Sequence, residues 1–231
     1  MKIPVVGASL VVLGLLSGCT TTAPPPSSPT PSASPAATSV APTSAASSSA
    51  SPGPSSAAAV PPQLSPEAQL ETDRLLILAA KANDAVRVRE LIAAGGNVNA
   101  KDDIQDSAFL YAGAEGFNEV LQLTLAAGAD VRSINRYGGT ALIPASEHGH
   151  TETVRILIAA GVPVDHVNNL GWTAMQEAIL LNNGGPNQQE VVGQLLAAGA
   201  NPDIRDPQGR TALQNAERLG FTEIAALIRG R

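Results

Sequence analysis

The chain is poor in the residues that do chemistry. Its 231 residues include one cysteine and three histidines. The lone cysteine, Cys19, excludes an intramolecular disulfide, and no paired Cys/His cluster exists to hold zinc. No H-E-x-x-H stretch and no phosphate-cradling glycine loop occurs. Segment 203–209 opens like a calcium loop with Asp203 and Asp206, but it lacks the third acidic ligand and the closing glutamate. Aromatic side chains make up only 3% of the chain. Ala, Leu, Gly and Val must therefore build the core, which suits thin, closely packed helices. Positive charge is scarce as well. Residues 67–231 hold 13 of the 14 basic side chains and all 20 acidic ones, a net of −7, which argues against general binding to phosphate backbones. Long hydrophobic runs are missing. The mostly apolar stretch 3–16 spans only about 21 Å as a helix, short of the ~30 Å hydrocarbon core of a bilayer.

What stands at the N-terminus reads as an address. Lys2 precedes the short apolar run, and Ser17 and Gly18 precede Cys19. The four residues Leu16-Ser17-Gly18-Cys19 resemble the lipobox of bacterial lipoproteins. The resemblance implies cleavage before Cys19 and a diacylglycerol on its sulfur, making residues 1–18 a signal peptide. Two acyl chains, at about 0.8 kcal/mol per buried CH₂, make such an anchor durable. The expected location is the cell envelope, with the domain facing the periplasm or the cell exterior.

Residues 20–66 contain no charged side chain and 12 of the 18 prolines. Pro, Ser, Ala and Thr cannot bury enough apolar surface to offset ordering entropy, so residues 19–66 are expected to form a disordered linker. As coil this tether reaches about 35–40 Å.

Beyond residue 66 the chain repeats. Gly95, Gly128, Gly161 and Gly199 end the phrases LIAAG, TLAAG, LIAAG and LLAAG, at intervals of 33, 33 and 38. Ser107, Thr140, Thr173 and Thr211 repeat those intervals, and Glu119, Glu152, Glu190 and Glu223 follow in shifted register. In each unit the Ser or Thr hydroxyl is placed to cap a short first helix. Gly116, Gly149 or Gly220 then permits a left-handed reversal. A second helix follows with apolar residues at i, i+3 and i+4, as in Val154, Leu157 and Ile158. Gly128, Gly161 or Gly199 terminates it, and a finger containing Asp102, Asn135 or Asp206 leads to the next cap. Each unit leaves one apolar face bare, so the units must stack.

The stretch TALIPASEHGHTETVRILIAAGVPVD (140–165) resembles the ankyrin repeat, with consensus T-P-L-H-x-A-A, G-H-x-E-V-V and G-A-D-V-N. The resemblance covers about 160 residues. It implies an all-α repeat fold: an ankyrin solenoid of about five helix-turn-helix units with finger loops, at roughly 72–104, 105–137, 138–170, 171–208 and 209–231. The consensus proline is replaced by Ala108, Ala141, Ala174 and Ala212. The consensus histidine is replaced by Leu110, Ile143, Gln176 and Gln214, which predicts looser helix starts. Ser65-Pro66-Glu67 predicts the start of a capping helix running to about Ala82. The five extra residues of the fourth unit, around Asn182-Asn183-Gly184-Gly185-Pro186, are expected to lengthen its first helix and loosen its turn, or else to form a lip on the binding surface.

The resemblance implies binding through fingers and the exposed face of the first helices. Repeat register nominates Asn135, Arg136, Tyr137 and Trp172 on fingers, and Tyr111, Glu115, Glu147, His148, Gln176 and Glu177 on first helices. Aromatic finger residues beside acidic ones point to a basic protein or peptide as partner. No cofactor, metal or nucleic acid is expected, and the domain should be monomeric. His150, in the G-H turn, is expected to bond local backbone. The competing reading is an envelope hydrolase or metal-dependent enzyme using Glu147 and His148. Its nearest triad, Ser146, Glu147 and His148, consists of chain neighbours whose side chains point apart.

Overall fold

The computed structural model describes residues 64–231; residues 1–18, Cys19 and all but the last three linker residues lie outside them. Ten helices form five helix–turn–helix pairs among the described residues. The pairs are α1 (Pro66–Lys81) with α2 (Ala85–Ala93), α3 (Ala108–Glu115) with α4 (Asn118–Ala126), and α5 (Leu142–Glu147) with α6 (Thr151–Ala159). They continue with α7 (Ala174–Leu180) and α8 (Pro186–Ala197), then α9 (Ala212–Leu219) and α10 (Thr222–Arg229). The odd-numbered helices stack in chain order as one layer and the even-numbered ones as the other.

Alanine makes the close stacking possible. Ala108, Ala141, Ala174 and Ala212 form one buried column, and Ala112, Ala145, Ala178 and Ala216 form another. A Cβ on Gly113 would approach the Ala141 Cβ to 2.8 Å, so α3 and α5 meet with no room for a larger residue. Val88, Val120, Leu121, Val154, Leu157, Val192, Leu195 and Ile224 fill the space between the layers.

The helix starts follow their caps. Ser65, Ser107, Thr173 and Thr211 each accept an N–H from the first turn, and Gln214 completes a capping box with Thr211. Thr140 does not cap. Pro144 has no N–H to give the Thr140 carbonyl, so that carbonyl takes the Ile143 N–H at 3.1 Å instead. The tightened turn removes this donor from the Thr140 hydroxyl, which is buried without a partner. Looser helix starts are thus confined to α5, which opens one residue later relative to its threonine than its counterparts do.

The insertion does not lengthen the first helix. Helix α7 has 7 residues, against 8 in α3 and α9, whereas α8 has 12 against 9 in α4 and α6. Pro186, with φ already set for a helix, starts α8 early. The remaining extra residues widen the turn around Gly184, whose φ is +69°. Register is recovered at Gln188, which is buried and whose amide lies where a Cβ on Gly149 would be, 2.8 Å away. His150 and Phe221 cover Gly116 and Gly184 in the same way, so the turn glycines serve the stack as well as the reversal.

Candidate functional site: a groove between fingers and first helices

Four fingers are built on one local device. Asp102, Asn135, Asn168 and Asp206 each use Oδ1 to accept the N–H groups two and four residues on, at 2.8–3.1 Å. The fourth position of each turn has positive φ and is filled by Gln105, Gly138, Gly171 and Gly209. Only three of the anchors were nominated from sequence; Asn168 is the one missed, although it keeps the 33-residue interval from Asn135.

In the third and fourth fingers, the other end of the anchor pairs with the residue nine positions later on the first helix. Asp206 is acidic, so its free Oδ2 needs a donor, and Asn215 Nδ2 supplies one at 2.8 Å. Asn168 is an amide, so its Nδ2 needs an acceptor, and Glu177 Oε1 supplies that at 2.7 Å. Acid and amide have changed places between the fourth and fifth units. The exchange carries a carboxylate out of the finger and onto α7.

That carboxylate faces a groove of about 420 Å³. Its lining includes Tyr111 and Glu115 from α3, Asn135, Arg136 and Tyr137 from the second finger, and Glu147 and His148 from α5 and its turn. Glu177 and the exposed Leu170 and Leu181 complete the far side. Eight of the ten nominated surface residues therefore meet in one groove. Leu181 ends α7 just before the widened turn of the insertion and forms part of the wall. Asn182 Nδ2 ties the same turn to the Glu147 carbonyl at 2.7 Å.

Two nominated residues lie elsewhere. Gln176 is 1% exposed; its amide donates to the Ile204 carbonyl at 3.0 Å and accepts from Asn215 at 3.0 Å, bracing the fourth unit against the fifth. It is not a surface residue. Trp172 is half-buried outside the groove lining, with its indole N–H buried and unpaired. The expectation for His150 is also corrected: its ring packs on Gly116 and edge-on to His148, while His148 Nδ1 meets the Ala114 carbonyl at 2.8 Å. Burial, and then the neighbouring His148, hold the His150 pKa below its ordinary value.

Electrostatically the groove is unbalanced. Arg136 is engaged with Asp106 at 3.3 Å and lies over the Tyr137 ring, 4.8 Å from its centre. Lys81 pairs with Asp102 at 2.6 Å and Asp106 at 3.4 Å. Among the described residues, Glu115, Glu147 and Glu177 form no ion pair. Glu177 is 5% exposed. Burial, reinforced by Glu147, pushes its pKa up to about 7, against the smaller downward pull of the Asn168 hydrogen bond and His148. Asp206 shows the opposite balance. Burial raises it, but Asn215, Arg210 and two backbone amides together hold it below its ordinary value. Asp206, with several donors, is held ionised, whereas Glu177, with a single donor, is only partly ionised at neutral pH.

A two-layer stack of helix pairs with anchored fingers and an open groove defines a solenoid recognition scaffold. Comparison with known proteins identifies its kind. The family model for ankyrin repeats (3 copies) matches residues 109–206. The crystal structure of an ankyrin repeat domain from Acinetobacter baumannii shares 58% identity with a TM-score of 0.66, over 67% of this chain and 79% of that one. A crystal structure of a second ankyrin repeat protein shares 40% identity with a TM-score of 0.65, over 67% and 78% of the two chains. A putative ankyrin repeat protein of Escherichia coli, YahD, is 50% identical over 52 residues, a match spanning 22% of this chain and 26% of that protein. This chain belongs to the ankyrin-repeat family. Ankyrin repeats mediate protein–protein interaction, and the fold is typically a non-enzymatic scaffold.

Proposed function

We propose that this chain is a lipid-anchored scaffold of the cell envelope that holds a basic segment of another protein in its groove. The observation that carries the reading is the set of three carboxylates without ion pairs around an open groove also lined by Tyr111 and Tyr137. Tyrosine offers large contact area at low entropic cost, and unpaired carboxylates favour a cationic partner over a neutral one. The anchor is supported by Lys2, the short apolar run and Leu16-Ser17-Gly18-Cys19, and the uncharged linker gives the domain reach from the membrane. In this reading the domain faces the periplasm or the cell exterior.

Cross-linking and pull-down from intact cells tests both parts. Recovery of an envelope protein by wild type, and its loss with Tyr111→Ala plus Tyr137→Ala, is the expected result. Equal recovery by both overturns the groove. Cys19→Ala should release the protein from the membrane fraction; unchanged fractionation overturns the anchor. The hydrolase alternative finds less support. The groove lining includes no Ser, Thr or Cys, and Ser146 is buried. Among the described residues, no group of three His, Cys, Asp or Glu is placed to hold a metal ion.

A further inference from the structure

The buried carboxylate of Glu177 has a charge its structural task does not need. Its fixed duty is to accept the Asn168 amide on Oε1, at 2.7 Å. A neutral glutamine oxygen would do the same, and the fifth unit satisfies its own finger anchor with the amide of Asn215. Burying an ionised carboxylate is unfavourable unless it is paired, and here the second oxygen receives no hydrogen bond from the protein. Glu177 is nevertheless part of the groove lining. The charged groups acting on it are Glu147, which opposes its ionisation, and His148, which weakly favours it. Among the described residues, no lysine or arginine forms an ion pair with it.

Resting on the reading of the groove as a partner surface, we infer that Glu177 forms a subsite for one cationic side chain, a lysine or arginine of an extended partner segment. The incoming ammonium or guanidinium group supplies the donor that the second carboxylate oxygen lacks. Glu147, lining the same groove, adds a second negative charge, and Tyr111 and Tyr137 offer rings to the aliphatic stem. Leu181, the residue that ends α7 just before the insertion, helps wall the groove on that side. The carboxyl must be ionised to receive the cation, so binding expels a proton. With a pKa of about 7, affinity should fall about tenfold between pH 8 and pH 6.

The test uses the full chain and three small probes: Nα-acetyl-arginine amide, Nα-acetyl-lysine amide and the neutral Nα-acetyl-citrulline amide. Backbone amide shifts are followed up to about 10 mM probe, a range suited to a single side-chain contact. Saturable shifts at Tyr137, Asn168 and Glu177 with one or both cationic probes, none with citrulline, and about tenfold weaker binding in Glu177→Gln are expected. The ratio of the arginine and lysine responses identifies which cation the subsite prefers. Glutamine keeps the acceptor for Asn168, and an unchanged or raised unfolding midpoint verifies that the variant is folded. Absence of saturable shifts at pH 8, an equal response to citrulline, or unchanged binding by Glu177→Gln overturns the subsite. Retention of the cross-linked envelope protein by Glu177→Gln, with loss in the Tyr111→Ala, Tyr137→Ala chain, would overturn the subsite and leave the groove standing. Retention by both would remove the groove itself.

Discussion

Replacing Glu177 by glutamine should make the domain more stable, by an amount that grows above about pH 4.5 and is complete above about pH 7. Glu177 is 5% exposed as a residue, and its pKa rises from an ordinary 4.5 to about 7 on folding. Because the folded state holds the proton more tightly, folding takes up a proton between those two values. Stability is therefore undiminished below pH 4.5, declines through the interval, and carries the full penalty above about pH 7. At about 1.4 kcal/mol per pH unit, the interval corresponds to about 3 kcal/mol. Glutamine has no proton to lose and keeps the bond from Asn168. Urea unfolding of the wild type and Glu177→Gln, compared at several pH values, reads the difference directly. With an m-value of roughly 2–3 kcal/mol/M, the variant's midpoint should lie about 1 M higher near pH 8 and coincide with the wild type near pH 4. Parallel midpoint curves across that range would refute the assignment, because the carboxyl would then titrate alike in folded and unfolded chains. The comparison also isolates a cost: stability given up by keeping an acid in the groove points to a role outside folding.

Three further changes have definite outcomes. Asn168→Asp should bring two carboxyls together in place of the amide–carboxylate pair, destabilising at neutral pH; adding Glu177→Gln should restore most of the loss, a coupling on the order of 1–3 kcal/mol in a double-mutant cycle. Gln105 is exposed with φ +65°, where three other fingers have glycine, so Gln105→Gly should raise stability by about 0.5–1 kcal/mol in thermal or urea unfolding. The His150 pKa is depressed by burial, so its contribution to stability is present above the ordinary 6.5 and is lost as pH falls through the lower folded value. His150→Phe, which borrows the residue found at Phe117 and Phe221, should remove that acid-side loss; an unchanged pH slope between 7 and 5 would count against it.

The sequence by itself determined the repeat: glycines, caps and acids recurring at 33, 33 and 38 residues specify where each helix starts, reverses and ends. These are local requirements, met within a few residues of the chain. Ser65 and Pro66 open α1 for the same reason, and Gly116, Gly149 and Gly220 adopt the left-handed backbone that their turns demand. Register also placed Tyr111, Glu115, Tyr137, Glu147 and Glu177 on the surface that becomes the groove. Contacts between units were not legible, because they join residues about thirty positions apart whose polarity is ambiguous. Gln176 reads as a surface glutamine until the carbonyl of Ile204 and the amide of Asn215 close over it. The insertion could have extended α7 or α8, and the choice fell to α8 where Pro186 starts a helix and Gln188 packs on Gly149 of the preceding unit. Glu177 is the sharpest case. Its identity is in the sequence, but its burial, its single donor and its nearness to Glu147 arise only when α5, α7 and the third finger are stacked; burial and Glu147 raise its pKa further than the one Asn168 hydrogen bond lowers it.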